Sequence, residues 1–255
     1  MITSVTNKQL KNVKALCDHR RTRRDQSLFV VENPRMFREI PKEMIKETYV
    51  SESFLKIKEN SEILKGIKFE LVKDDVFKKI SDTQNPQGVI ALVKQPEYDL
   101  TKLLNKNPKG RYIVLNRLQD PGNLGTILRT AEAAGIAGII MDRECVDIFS
   151  PKVVRSTMGA ILRVPFVYTD DLKDSIRKMR RAGIKCYAAH LKGTIDFREG
   201  DYSGGTAFFI GNEGNGLSDE ISDMADELVY IPMEGQAESL NAAVAAALLM
   251  YAKSL

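Results

Sequence analysis

Leu115-Asn-Arg-Leu-Gln-Asp-Pro-Gly-Asn-Leu-Gly-Thr-Ile-Leu-Arg-Thr-Ala-Glu-Ala-Ala-Gly135 is the stretch from which the fold can be read. It leaves an apolar run, Tyr112 to Leu115, through a polar, glycine-rich turn and enters a segment expected to be helical from Thr126 to Ala134. That is one strand-turn-helix step of an α/β protein, and in open α/β sheets ligands gather at the carboxyl ends of strands. Pro121-Gly122 and Gly125 permit a tight turn, and Arg129, in about the first helical turn, could reach back to its mouth. Taken alone, Asn123 is more economically a turn residue and Arg129 a surface cation.

Downstream the same alternation continues. Strands are expected at Gly138 to Met141, Pro165 to Tyr168, Cys186 to Ala189, Ala207 to Ile210 and Leu228 to Ile231, with helices from Pro151, Leu172 and about Ser239. Continuous apolar strands alternating with helices predict a mostly parallel sheet covered on both faces. Two more loops follow strands. Phe208-Phe-Ile-Gly-Asn-Glu-Gly-Asn-Gly-Leu-Ser218 offers bare backbone with Glu213 in the turn. Its glycines fit neither the dinucleotide fingerprint nor a P-loop. Such a loop can wrap an adenine or ribose through peptide groups, or simply connect a strand to a helix. Val229-Tyr-Ile-Pro-Met-Glu-Gly-Gln-Ala-Glu-Ser-Leu-Asn241 runs into an alanine-rich helix, where Ser239 reads as the cap with Asn241 just inside.

Upstream, residues 1–94 show their own alternation. A helix from Lys8 to His19 carries Leu10, Val13 and Leu16 on one face. The strand Leu28 to Glu32 and further strands near Tyr49, Lys68 to Val72 and Gly88 to Val93 alternate with short helices, as in a small α/β layer structure. Residues 95–110, with Pro96, Pro108 and Gly110, read as a linker and residues 111–255 as the second domain. The net charge of +4 lies wholly in the first hundred residues, and the rest is balanced. Lys8, Lys11, Lys14, Arg20, Arg21, Arg23 and Arg24 crowd together, a density that suits a nucleic-acid backbone or a solvated helix end.

Three separated cysteines and two histidines offer no metal-ligand spacing, so no metal is expected and the cysteines fit a reducing compartment. The N-terminus lacks the apolar core of a signal peptide. The longest apolar run, Ala242 to Ala252, is short of the ~20 residues of a membrane span. A soluble, cytoplasmic protein without a membrane partner is the expectation.

Together the three loops resemble the SpoU/TrmH family of RNA ribose methyltransferases, within the SPOUT superfamily. The family motifs are Asp-Pro-x-Asn-x-Gly-x-x-x-Arg, Gly-x-Glu-x-x-Gly and Ile-Pro-Met-x-Gly-x-x-x-Ser-Leu-Asn. Asp120 to Arg129, Gly211 to Gly216 and Ile231 to Asn241 match them in order, with Asp147-Ile-Phe-Ser-Pro-Lys-Val-Val-Arg155 between. Ile2-Thr-Ser, Phe29-Val-Val-Glu32 and Ser81-Asp-Thr-Gln-Asn-Pro-Gln-Gly88 resemble the family's N-terminal substrate-binding module, with Asn33-Pro34 departing from a usual glycine.

The resemblance implies a small RNA-binding α/β domain followed by a catalytic domain with a deep trefoil knot. It also implies S-adenosylmethionine as cofactor, a homodimer, and methyl transfer to a ribose 2′-hydroxyl of RNA, ribosomal RNA being favoured over transfer RNA. Gly211, Ile231 and Leu240 match positions that hold the cofactor, and Gly122, Asn212 and Met233 line the same pocket. Arg129 matches the catalytic arginine, and Asn123, Glu213, Ser239 and Asn241 match the residues that orient it and the ribose. Lys8, Lys11, Arg20, Arg21, Arg23, Arg24 and Arg155 are the candidate RNA contacts. A non-catalytic RNA-binding relative would lack Arg129 or the Ser239/Asn241 pair, and a nucleotide-dependent metabolic enzyme would show a phosphate loop or an acidic ribose hook.

Overall fold

In the computed structural model, which describes residues 1–252, two compact units form. One holds Met1–Pro96 with Asp147–Leu162, the other Glu97–Val146 with the chain from Arg163 onward. The first unit opens with α1 (Lys8–Asp18) and α2 (Arg20–Gln26). Asn7 caps α1, its Oδ1 accepting from the backbone of Gln9 at 2.8 Å. Leu10, Val13 and Leu16 are buried on the inner face, while Lys8, Lys11 and Lys14 face solvent. Next come β1 (Leu28–Glu32), α3 (Pro34–Glu39), β2 (Ile45–Ser51), α4 (Glu52–Leu55) and α5 (Lys58–Ile63). β3 (Glu70–Val72), α6 (Asp74–Ile80) and β4 (Val89–Lys94) complete a sheet in the order β1-β4-β2-β3. Asn33, where the family pattern is broken, caps α3 with Pro34 at the first helical position.

The second unit starts with α7 (Leu100–Lys106), β5 (Arg111–Leu115), α8 (Pro121–Ala133) and β6 (Gly138–Asp142). After α9 (Pro151–Ser156), which groups with the first unit, it continues with β7 (Phe166–Thr169), α10 (Leu172–Arg181) and β8 (Lys185–Ala189). It ends with β9 (Ile195–Asp196), β10 (Thr206–Ile210), α11 (Asp219–Ser222), β11 (Glu227–Tyr230) and α12 (Ala242–Tyr251). The seven strands lie in the order β7-β6-β5-β10-β8-β11-β9, every pairing parallel. Strands buried on both faces must be apolar throughout, which is why Tyr112, Ile113, Val114 and Leu115 are all fully buried. α12 packs on α8 and on β10, and Arg111 donates to Met250 O in the last turn of α12 and to Ala134 O at the C-cap of α8, each at 2.5 Å.

Three features differ from the sequence reading. The stretch expected to be a linker contains α7, capped by Asp99, with Leu100, Leu103 and Leu104 buried; its prolines and glycine punctuate a packed helix. Residues 147–162 join the first unit, where Phe149 packs against Phe29 with the rings tilted and 5.1 Å between their centroids, and α9 packs on β1. α8 begins at Pro121, five residues early, because Asp120 caps it and Pro121 takes the first helical position. Gly122, Asn123 and Gly125 are therefore helical, and Arg129 lies in the third turn instead of the first.

Candidate functional site

The chain leaves β5 through α8 toward β6 on one side of the sheet and leaves β10 through α11 toward β11 on the other. Between two neighbouring strands whose connections diverge, the loops at their carboxyl ends part and leave a crevice. Buried Asn116 spans it: its Nδ2 donates to Asp142 Oδ2 at 2.8 Å, and its Oδ1 accepts from the Ser218 hydroxyl at 3.2 Å. Arg117 sits at φ 57°, a left-handed backbone for a side-chain-bearing residue. Its N–H donates to Asp142 and its carbonyl accepts from Asn212 Nδ2, at 2.8 and 3.0 Å. Beside it lies a small cleft of about 210 Å³ lined by Arg117, Gln119, Glu144, Asn212, Asn215 and Ser218.

Glu213 gathers the three motifs. Its carboxylate accepts from the backbone N–H of Asp120 at 2.9 Å and of Gln119 at 3.2 Å, and from Asn123 Nδ2 at 2.9 Å. Asn123 Oδ1 accepts from Asn241 Nδ2 at 2.9 Å, and Asn241 Oδ1 caps α12 by accepting from Ala243 N. Burial alone would raise the Glu213 carboxyl, but the bonds from Asn123, Asp120 and Gln119 outweigh it and hold the carboxyl below its ordinary value. An ionised carboxylate only accepts, so Asn123 must turn its amide N–H₂ toward Glu213 and its oxygen toward Asn241. The polarity of the whole chain is thus set from one end. Since the folded value is depressed, Glu213 adds stability above the ordinary carboxyl range, and that contribution disappears as pH falls through the folded value.

The sequence-derived site residues divide accordingly. Asn123, Glu213 and Asn241 are joined directly, and Asn241 replaces Ser239 as the helix cap. Ser239 is exposed and makes no hydrogen bond among the described residues, while Leu240 next to it and Ile231 and Met233 earlier in the same loop are half-buried. Gly211 is required by its own loop: a Cβ there would strike the backbone of Gly216 and Leu217. Asn212 and Gly216 close that loop with paired 2.9 Å backbone bonds, and Gly216 adopts φ +68°. A Cβ on Gly122 would meet Asp120 Oδ1 at 2.8 Å, so glycine there leaves room for the cap. Arg129 is exposed, with no hydrogen bond or ion pair to a described residue. Six helical positions beyond Asn123 put it about 9 Å further along the axis and roughly a third of a turn around it, so it does not touch the network. Sequence reasoning does not single out Asn116 and Asp142; a polar residue directly after an apolar strand is their one signal.

One candidate RNA contact, Arg23, is corrected, and a second, Arg155, already has an acidic partner. Arg23 is 5% exposed: its guanidinium pairs with Asp147 at 2.7 Å and donates to the carbonyls of Leu16 and Cys17 at 2.7 and 2.8 Å. It closes the end of α1 and is inaccessible to a ligand. Arg155 is half-buried and paired with Asp82 at 2.5 Å. Lys8, Lys11, Arg20, Arg21 and Arg24 remain exposed. The three cysteines are buried and unbridged, with the thiols of Cys17 and Cys186 pushed up to about 12 chiefly by burial. They are unsuited to be nucleophiles.

The parallel sheet and the Asn-Asn-Glu chain that its diverging loops knit beside glycine-rich backbone place the three SpoU/TrmH-like motifs together at one crevice, the arrangement that the resemblance implies for an RNA methyltransferase of the SpoU kind. The model of the SpoU rRNA methylase family matches residues 110–251, and that of the MRM3-like substrate-binding domain matches residues 7–91. The chain belongs to the SpoU rRNA methylase family. Over 252 residues it is 31% identical to the 23S rRNA (guanosine(2553)-2'-O)-methyltransferase RlmP of Bacillus subtilis, covering 98% of this chain and 97% of that protein. Among solved structures it resembles the AdoMet-bound rRNA methyltransferase of Sinorhizobium meliloti, at 32% identity and TM-score 0.85, covering 98% of this chain and 95% of that one. The SpoU methyltransferase AviRb of Streptomyces viridochromogenes gives 28% identity and TM-score 0.81, with 96% of each chain covered.

Proposed function

We propose that this protein transfers a methyl group from S-adenosylmethionine to a ribose 2′-hydroxyl of large-subunit ribosomal RNA. The observation that carries the reading is the hydrogen-bonded chain Asn241–Asn123–Glu213, which joins all three family motifs at one crevice. The residues present suit the cofactor. From Pro232 to Leu240 the backbone makes no bond to other backbone among the described residues, leaving peptide groups available beside apolar, half-buried Ile231, Met233 and Leu240. Those residues, with Gly122 and the loop from Gly211 and Asn212, would hold an adenosine through peptide groups and apolar contact. When bound, the cofactor supplies an electrophilic methyl on a sulfonium.

The chain's own residues must place the hydroxyl and ease its proton loss. Glu213, kept ionised, fixes the orientation of Asn123 and through it of Asn241, so their remaining polar atoms and Ser239 meet the ribose without reorganising. Arg129 stabilises the developing alkoxide and grips the neighbouring phosphate, with the proton passing to phosphate or water. The reading includes the trefoil knot implied by the family, a cytoplasmic location and a homodimer. α12 is apolar on every side, yet Val244 is 48% and Tyr251 39% exposed. A face like that is normally covered, and a second copy would cover it.

Asn241→Asp separates positioning from folding. It retains the oxygen that caps α12 but loses the N–H that Asn123 needs, and the amide chain loses its single polarity. We expect turnover to fall by about tenfold or more with the thermal midpoint and calorimetric cofactor affinity nearly unchanged. An equal loss of affinity and rate would contradict the positioning role. The function itself is tested by mapping 2′-O-methyl groups in ribosomal and transfer RNA with and without the gene. One site lost from large-subunit RNA is expected. A site lost only from transfer RNA would move the substrate, and no lost site would overturn the activity.

A further inference from the structure

At the end of the second unit's sheet opposite the crevice lies a larger cleft, about 660 Å³, between the last turns of α10 and the start of β8. Arg177, Arg180, Arg181 and Lys185 line it against one acid, Asp226. The sequence from residue 101 onward is charge-balanced, so this is segregation and not a general excess. Two of the four cations are committed: Arg180 pairs with Asp226 at 2.6 Å and Lys185 with Glu227 at 2.8 Å. Asp226 is itself fixed, accepting from Cys186 N at 2.8 Å.

Arg177 and Arg181 are different. Both are exposed, and neither makes a hydrogen bond or ion pair with a described residue. Asp174, on the same helix, is held by Lys178 at 2.8 Å and feels the two arginines only through longer-range attraction. They stand four residues apart on one helix face, where like charges repel. The negative end of the helix dipole favours cations in its last turn, which accounts for Arg180 and Arg181. It does not account for Arg177 a turn earlier, or for Lys185 beyond the helix. Planar guanidinium forks that remain unpaired in an open cleft match phosphate oxygens in geometry as well as charge.

We propose that this cleft is a second RNA-contact surface, in which Arg177 and Arg181 bind backbone phosphates of the substrate away from the methylation site. The inference rests on the RNA-methyltransferase reading and extends it. A strand of five residues spans about 17 Å, so the RNA that reaches both ends of the sheet is longer than the target nucleotide and its neighbours. Phosphate contacts position without reading sequence, so this surface would strengthen binding without choosing the target.

The test uses the full-length protein with Arg177→Gln/Arg181→Gln, the charge-reversed Arg177→Glu/Arg181→Glu and the charge-keeping Arg177→Lys/Arg181→Lys. Binding to protein-free large-subunit ribosomal RNA is measured across a potassium chloride series, together with turnover, cofactor affinity and size-exclusion elution. The glutamine variant is expected to flatten the slope of log affinity against log salt by about one to two. It should also raise KM for RNA, leaving kcat and cofactor affinity intact, and the lysine variant should recover much of the loss. Unchanged slope and affinity, with the wild type still binding RNA, would overturn this inference and leave the methyltransferase reading standing. A change in oligomeric state under charge reversal, without a change in RNA binding, would assign the cleft to protein contact and overturn it as well. A wild type with no salt-dependent RNA affinity would remove the functional reading and this surface together.

Discussion

Replacing Arg23 with alanine is expected to destabilise the first unit by about 3–5 kcal/mol, measured by denaturant titration near neutral pH. The side chain is 5% exposed and its partner Asp147 is 12% exposed, so truncation strands a carboxylate with little access to water. It also removes the donor from the carbonyls of Leu16 and Cys17, at the end of α1. Losing one member of a buried pair costs more than the pair contributes, because the desolvated remainder has no compensation. The double variant Arg23→Met/Asp147→Leu should therefore recover the part of the loss that comes from the stranded carboxylate, but not the part from the Leu16 and Cys17 carbonyls or from Phe149 N, which loses Asp147 Oδ1 as its acceptor. The contrast lies in the neighbouring residues: glutamine at Arg20, Arg21 and Arg24, all exposed, should leave stability within about 0.5 kcal/mol. Those three changes should weaken RNA binding and flatten its salt slope by about 0.7–0.9 for each phosphate that is no longer neutralised. If Arg23→Ala instead folds like the wild type and only weakens RNA binding, the buried clamp is not what holds α1 and residues 147–162.

That contrast also marks what can be read from the chain. A run of arginines reports charge density, and nothing local says which of them turns inward. Arg23 is buried because its partner lies 124 positions away, and the same distance conceals that residues 147–162 belong with the first unit. Strands of the second sheet are legible because burial on both faces leaves an unbroken apolar run. β9, two residues long, carries no such signal. The start of α8 is easily misplaced because its glycines suggest a turn, although Asp120-Pro121 is itself a helix-start signature that outweighs them. α7 is hidden because one short apolar turn between prolines also fits a linker. The site residues are legible as motifs. Their connectivity is not, because the bond between Asn123 and Asn241 spans 118 positions and Asn241 takes the cap expected of Ser239.

Arg129→Ala is expected to lower turnover by about 10²–10³-fold with almost no effect on stability. The side chain is exposed and unpaired among the described residues, so its removal strands nothing. A large kinetic effect at such a position has to come from a group outside this chain. Guanidinium holds its proton at any working pH, which argues against its serving as the base. It is suited to meeting the negative charge that grows on the 2′-oxygen and the charge already present on the adjoining phosphate. Because the first charge exists only as the reaction proceeds, kcat and kcat/KM should fall together. A raised KM for RNA with kcat intact would reduce Arg129 to an anchor. Arg129→Lys sharpens the point: it keeps a cation on the same helix turn but cannot bond two oxygens in one plane. Most of the rate should be lost while RNA affinity is largely retained, and near-normal turnover would show that a point charge suffices.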